Sequence, residues 1–243
     1  MTRRRFIADR VTGDRAVLLG AHAAHLSRVL RAHPGQQFDL AVNGSVRRGL
    51  VVRVEDERVE FELGDEIPAE IMLPVRLYLS IMRFERMEWA IEKCVELGVT
   101  CLVPMVAARS DPRLVAAAAK RIERWQRLIL QAAEQSRRSA PPELAPAVPL
   151  RQGVLCEQGT RIVLDETERS LLLGDVLQER ANRDCAPSDS AVALAVGPEG
   201  GWTEAERKLF SDSGWTSASL GHNILRSETA AVAALALVMS LAR

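Results

Sequence analysis

From Pro74 onward the chain alternates short apolar runs with helix-like segments, and that rhythm leaves few folds open to it. Val75, Leu77, Leu79 and Ile81 alternate as a strand does. Arg86 to Leu97 is amphipathic and stops at Gly98, a helix terminator. Val99 to Val106 is a second strand. Asp111-Pro112, a cap followed by a first-turn proline, predicts a long helix running to about Arg138. Pro141-Pro142 closes it. Arg161–Leu164, Ala191–Val196 and Thr216–Leu220 are further short apolar strands with helical stretches between them, and Asn182–Ser190 reads as a loop. Strands alternating with helices predict an α/β domain whose parallel sheet is covered on both faces. The last helix, about Ser227 to Ala242, is apolar almost all round, so it is expected to be buried on every side. A subunit interface is one partner for its surplus face, and burial within one chain is the other.

Residues 1–70 have a different texture. Ala21 to Arg31 has helical spacing, with Leu26, Val29 and Leu30 on one stripe, and Pro34-Gly35 stops it. Phe38–Val42 and Val46–Val54 flank Asn43-Gly44, a hairpin signal because both turn residues accept positive φ. Val59–Leu63 adds a strand, and Gly64 to Pro68 reads as a linker. The expected boundary lies near residues 68–74, between a small β-rich unit (1–70) and a larger domain (74–243).

Charge and composition exclude several functions. Lys plus Arg and Asp plus Glu are equal at 32 each over 243 residues, so the chain is not a uniformly basic nucleic-acid binder. Residues 1–31 nevertheless hold seven arginines against two acids. A basic end on a neutral protein suits a polyanion touched at one place, with a solvated arginine-rich face as the alternative. The basic start leads into no apolar run, so no secretory signal is expected. The longest apolar stretch, Ala230–Met239, is too short to span a bilayer. Four scattered cysteines without a C-x-x-C pair, and four isolated histidines, offer no metal-ligand spacing. The expectation is a cytoplasmic protein with reduced thiols, no metal and no membrane partner.

Two segments carry the chemistry. In Gly197-Pro198-Glu199-Gly200-Gly201-Trp202-Thr203 a strand ends, three glycines follow within five residues, and Thr203 with Glu206 fits a capping box that opens a helix. Glycines at the carboxyl end of a parallel strand let backbone groups approach a small ligand. The loop lacks the glycine pattern of a dinucleotide fold and the Gly-Lys-Ser/Thr ending of a triphosphate loop. A ligand without phosphates therefore fits better, and a purely structural turn stays open. In Leu220-Gly221-His222-Asn223-Ile224-Leu225-Arg226-Ser227-Glu228-Thr229, a second strand-to-helix turn sets Arg226 and Glu228 beside an apolar helix. Glu228 can simply favour the helix N-terminus, or Arg226 can face a ligand or a developing anion.

"GPEGGWTEAE" followed by "LGHNILRSETAA" resembles the signature pair of the SPOUT superfamily of RNA methyltransferases, and more narrowly the ribosomal RNA small subunit methyltransferase E family. "HLSRVLR" at 25–31, "RFERMEWAIEKCVELGV" at 83–99 and "EQSRRSAPPEL" at 134–144 resemble other family segments, so the similarity runs along nearly the whole chain. It implies a small PUA-like β-barrel before a SPOUT domain with a deep trefoil knot between about Leu194 and the last helix. It also implies a homodimer, S-adenosyl-L-methionine as cofactor, and methylation of N3 of a uridine (conventionally 1498) in 16S rRNA of the small ribosomal subunit.

Carried onto this chain, the resemblance gives a cofactor pocket of Gly197, Glu199, Gly200 and Gly201 with Leu220, Gly221, Ile224, Leu225 and Arg226. RNA phosphates fall to Arg3, Arg4, Arg5, Arg28 and Arg31, and to Arg83, which stands where the family often has Lys. Asn223 stands where the family usually has Arg, which puts any role at that position in doubt. N3 of uracil must lose its proton before it attacks a sulfonium methyl. Arg226 is the candidate for stabilising the anion, and Glu199 or Glu228 for taking the proton. Three alternatives stay open: a non-catalytic ribosome-assembly protein, an enzyme of the same superfamily acting on tRNA, and a small-molecule enzyme using the Gly-rich loop.

Overall fold

A computed structural model describes residues 5–68, 73–182 and 191–241. Arg3, Arg4 and Cys185 lie outside the described residues, as does nearly all of the loop expected at 182–190. The chain divides into two compact units, Met1–Ile71 with Ala133–Pro141, and Met72–Ala132 with Pro142–Arg243. Residues 133–141, which the sequence reading leaves in the second domain, thus belong by their contacts to the first.

In the first unit β1 (Arg5–Ile7), β2 (Arg10–Thr12) and β3 (Arg15–Leu19) precede a short helix α1 (Gly20–Ala24), and β4 (Gln37–Val42), β5 (Ser45–Glu55) and β6 (Arg58–Ile67) follow. The strands order as β1-β4-β5-β6-β3-β2, antiparallel except for the β1–β4 pair. Asn43 and Gly44 close the β4–β5 hairpin with φ of 51° and 85°, as the Asn-Gly signal requires. Two register shifts between β5 and β6 add local twist, which curls the sheet toward a barrel around Phe6, Phe38, Leu40 and Phe61. The helix expected over 21–31 is shorter than its spacing suggests. After α1 the chain takes a π-helical turn at His25–Val29, and Arg31 leaves it in the left-handed region at φ 50°. Leu26 still reaches the core, while Val29 is exposed.

Residues 133–141 are tied to this unit by charge. His22 Nε2 lies 3.2 Å from Glu134 Oε2, and its Nδ1 lies 3.6 Å from Asp9 Oδ2. An Arg5 guanidinium N–H donates to the Arg137 carbonyl. The hydrogen bond to Glu134 raises the His22 pKa above its ordinary value, against the opposing pull of burial.

The second unit is built on β7 (Val75–Ser80), α2 (Phe84–Leu97), β8 (Cys101–Val106), α3 (Pro112–Ala118), α4 (Ile122–Gln135), β9 (Glu143–Leu144), β10 (Val148–Pro149), α5 (Leu150–Cys156), β11 (Thr160–Leu164), α6 (Leu173–Ala181), β12 (Val192–Val196), α7 (Glu204–Asp212), β13 (Thr216–Ala218) and α8 (Ser227–Leu241). All its described strand pairs are parallel, in the order β10-β8-β7-β12-β11-β13, with β9 also on β8. Every residue of β12 is buried, as expected of a strand covered on both faces. Gly98, at φ 109°, ends α2.

The helix predicted from Asp111 to Arg138 is broken. The Asp111 carboxylate does cap its start, accepting from Arg113 N at 2.8 Å, but a tight turn at Ala119–Arg121 separates α3 from α4. The four alanines there signal no break; the turn resets the helix phase, and Trp125 then sits fully buried, edge-on to Phe84 at 6.1 Å between ring centroids. The last helix is not buried on every side within this chain. Ala231, Ala234, Leu235 and Val238 pack inward, whereas Leu237 and Leu241 are 38% and 43% exposed.

Candidate active site

Three neighbouring parallel strands, β12, β11 and β13, release their carboxyl ends at one place, and each continues into a polar loop. These loops enclose a cavity of about 330 Å³ in the second unit. Such a crevice is where open α/β sheets bind ligands.

The β12 loop is held from below and from the side. Trp202 is fully buried, and its indole N–H donates to the Leu164 carbonyl at 2.8 Å. It stacks edge-on into Phe210, which in turn meets Trp215, with centroids 5.0 and 5.2 Å apart. A Cβ at Gly197 would come within 3.1 Å of the Trp202 ring, so any side chain there has to push the indole aside by a few tenths of an ångström. Gly201 sits at φ 68°, and a Cβ on it would fall 2.2 Å from Glu166 Oε1. The capping box forms: the Thr203 hydroxyl accepts from Glu206 N, and Glu206 Oε2 accepts from Thr203 N at 2.8 Å. Glu206 Oε1 also accepts from Ala108 N at 2.7 Å, and Arg109 donates to the Gly200 carbonyl at 2.6 Å. The segment after β8 therefore braces the Gly-rich loop.

The β11 loop supplies acids. Asp165 accepts from Thr167 N and Oγ1, and Arg207 bridges Asp165 Oδ2 at 2.8 Å and Glu166 Oε1 at 3.3 Å. The β13 loop is pinned by paired backbone bonds between Ser219 and residues 171 and 173, turns at Gly221 (φ 114°), and leads into α8. Ile224 is 77% exposed in a cavity wall, an apolar surface open to a ligand.

All nine residues that the resemblance assigns to the cofactor, four on the first loop and five on the second, line this one cavity. Asn223 lines it too; His222 does not. Of the three candidates for chemistry, Glu199 and Arg226 face the cavity, Arg226 from an exposed position. Glu228 does not reach its wall; it lies buried behind Arg86, with its Oε1 3.6 Å from Arg86 Nε. Arg86 also stands 3.8 Å from Glu199 Oε1 through its Nη1. Arg83 is exposed at the start of α2, where its backbone N–H points at Glu199 Oε1 at 3.5 Å. In the first unit Arg28 and Arg31 are exposed, Arg28 pairing with Asp56 at 3.4 Å, and Arg5 is engaged with the Arg137 carbonyl.

Arg86, Asp165, Glu166 and Arg169 also line the cavity, and Trp202 supports it, without a sequence motif that marks them as site residues. Asp165 and Glu166 follow an apolar run directly, so the carboxyl-end rule could have found them. Arg86 lies inside a quoted segment but carries no spacing signal, because its partners are more than 100 residues away. Among the described residues no group of three or more His, Cys, Asp or Glu could hold a metal, and no helix is long and apolar enough to cross a membrane. Cys94 and Cys101 are buried, and desolvation pushes their thiols up to about 12 and about 11.

A model of the RNA methyltransferase domain matches residues 69–239. Ribosomal RNA small subunit methyltransferase E of Synechocystis is 33% identical over 230 residues, spanning 92% of this chain and 72% of the relative. The chain belongs to that RNA methyltransferase family. Ribosomal RNA small subunit methyltransferase E of Bacillus subtilis is 28% identical across 91% of this chain and 88% of its own. The family's fold is shared in full: the Neisseria gonorrhoeae enzyme, crystallised with S-adenosyl methionine, superposes with a TM-score of 0.83 at 31% identity over 99% of this chain and 98% of that one. A putative methyltransferase from Legionella pneumophila with bound SAM gives 0.81 at 28% identity over 99% and 98%.

Proposed function

We propose that this RNA methyltransferase uses S-adenosyl-L-methionine to methylate N3 of the uridine conventionally numbered 1498 in 16S rRNA of the small ribosomal subunit. The observation that carries the reading is the convergence of both Gly-containing loops, with Glu199 and Arg226, on one cavity. The cavity fits the cofactor: its glycines leave backbone groups bare, its walls include Leu164, Val196, Leu220 and Ile224, and Glu166 and Glu199 offer negative charge to a cationic ligand. When bound, the cofactor supplies an electrophilic methyl on a sulfonium.

The protein's part is to bare N3 of its proton and hold the base in line. Glu199, on a loop turn braced by Trp202 and Arg109, accepts the N3 proton. Arg226, at the start of α8, meets the negative charge spread over the flanking carbonyl oxygens. Glu199 and Arg226 thereby hold N3 as the nucleophile that the sulfonium methyl would meet. A stacked or paired target base has to be swung out to reach the cavity. Arg3, Arg4, Arg5, Arg28, Arg31 and Arg83 hold rRNA phosphates, fixing register rather than reading sequence.

The active species is a homodimer, in which a second copy covers the apolar side chains left exposed on α2 (Trp89, 46%) and on α8 (Leu237 and Leu241). The C-terminal path is proposed to form a trefoil knot, a reading supported by the return of the chain after the edge strand β13, where α8 packs on α2, α6 and β12.

The test uses small subunits from a strain lacking this protein, incubated with the purified enzyme and labelled S-adenosylmethionine. Methyl on N3 of one 16S uridine, mapped by mass spectrometry, is the expected product. Label entering tRNA instead, or no transfer despite cofactor binding, overturns the substrate assignment.

A further inference from the structure

Arg86 occupies an unusual electrostatic position. It sits in the first turn of α2, lines the cavity, and is flanked by Glu199 on one side and Glu228 on the other, at 3.8 and 3.6 Å. Both separations are ion-pair contacts too long for hydrogen bonds, so the five guanidinium N–H donors are placed but not spent. Glu228 is 8% exposed, and its Oε2 is shielded from solvent with no hydrogen-bond partner among the described residues. Burying a carboxylate in that state is costly. The helix N-terminus favours an acid, but an exposed acid there gains the same favour without the penalty. What the buried site adds is a fixed negative charge behind the Arg86 guanidinium. Arg226, by contrast, is exposed and has no ion-pair partner among the described residues, so it must be ordered when the RNA arrives.

We infer that Arg86 is the preorganised cation that donates to a carbonyl oxygen of the target base as N3 loses its proton, and that Glu228 is a positioning residue acting through Arg86. This rests on the uridine reading above. The charge on the oxygens exists only after the proton has moved to Glu199 and before N3 takes the methyl group. An N–H donor aimed there therefore favours the reacting state over the neutral base and the neutral product.

The experiment is a single-turnover comparison of wild type, Arg86→Gln, Arg86→Lys, Glu228→Gln and the Arg86→Gln/Glu228→Gln double variant at saturating cofactor. The substrates are small subunits reconstituted from 16S rRNA containing uridine or 5-fluorouridine, whose N3 is more acidic. Arg86→Gln is expected to slow uridine methylation roughly 100-fold, the scale of one lost anion-facing donor, to slow 5-fluorouridine methylation much less, and to move the rising limb of the pH–rate profile to higher pH. Arg86→Lys is expected to recover part of the rate, and Glu228→Gln to have no effect once Arg86 is gone. Affinity for S-adenosylhomocysteine, followed by calorimetry, stays within about twofold, which also reports that the variants fold. Equal losses on both substrates, or a loss tracking cofactor affinity, overturn the inference. Absence of N3-methyluridine with the wild-type enzyme overturns the uridine reading itself, and the inference with it.

Discussion

Gly201 illustrates how closely single residues are specified at this site. Its φ of 68° already disfavours any side chain, and a Cβ would meet Glu166 Oε1 at 2.2 Å. Gly201→Ala should therefore displace Glu166 or the loop, lowering cofactor affinity at least about tenfold and stability by roughly 1–2 kcal/mol; calorimetric titration and urea unfolding measure the two separately. Arg226→Ala tests the cation at the mouth. Turnover at saturating RNA and cofactor should fall about 100-fold if it faces the anion, and normal turnover would remove it from that role. Arg226 and Glu199 were legible because they stand inside recognisable loops. Arg86 was not, since what marks it is a pair of carboxylates brought to it by two other elements.

Elements hold these residues in place through a few shared side chains. Glu206 closes the capping box of α7 and also accepts from Ala108 N, joining the Gly-rich loop to the segment after β8. Glu206→Ala leaves the part-buried Ala108 N, Thr203 N and Thr203 hydroxyl without their acceptor and should cost about 3 kcal/mol, against about 1 kcal/mol for Thr203→Ala, which removes one cap acceptor. A urea series in which the two variants lose equal stability would contradict the bridging role. In the first unit, His22 on α1 links Asp9 to Glu134 in the 133–141 segment. A histidine whose folded pKa is raised above its unfolded value of about 6.5 stabilises fully below that pH, and the contribution fades as pH climbs through the folded value. His22→Gln should therefore lose more stability at pH 6 than at pH 9, as read from unfolding midpoints. The capping box and the Asn-Gly hairpin were readable from sequence because each is set within a few residues. The break between α3 and α4 was not, because the packing of Trp125 against Phe84 decides it.

At the scale of the whole molecule, packing turns on the apolar side chains that α2 and α8 leave exposed, Trp89, Leu237 and Leu241. If a second copy covers them, Leu237→Glu should turn a dimer into a monomer in sedimentation velocity while leaving the isolated fold intact, since that side chain makes no part of the core. A wild-type protein that sediments as a monomer would remove the dimer altogether. The α8 sequence showed that the helix is too apolar for an open surface, but only the structure shows which of its faces the chain itself fills.

Local chemistry, then, was determined by the sequence alone: strand and helix alternation, the parallel sheet it entails, the hairpin at Asn43-Gly44, and two loops whose residue pattern marks the family. Each depends on neighbours within one or two turns of chain, where backbone sterics and spacing dominate. Tertiary structure decided what depends on convergence. It brought β11 with Asp165 and Glu166 beside the two loops, drew residues 133–141 into the first unit, and set Arg86 between two carboxylates. Those arrangements follow from burial and charge pairing across long stretches of chain, and no local pattern encodes them.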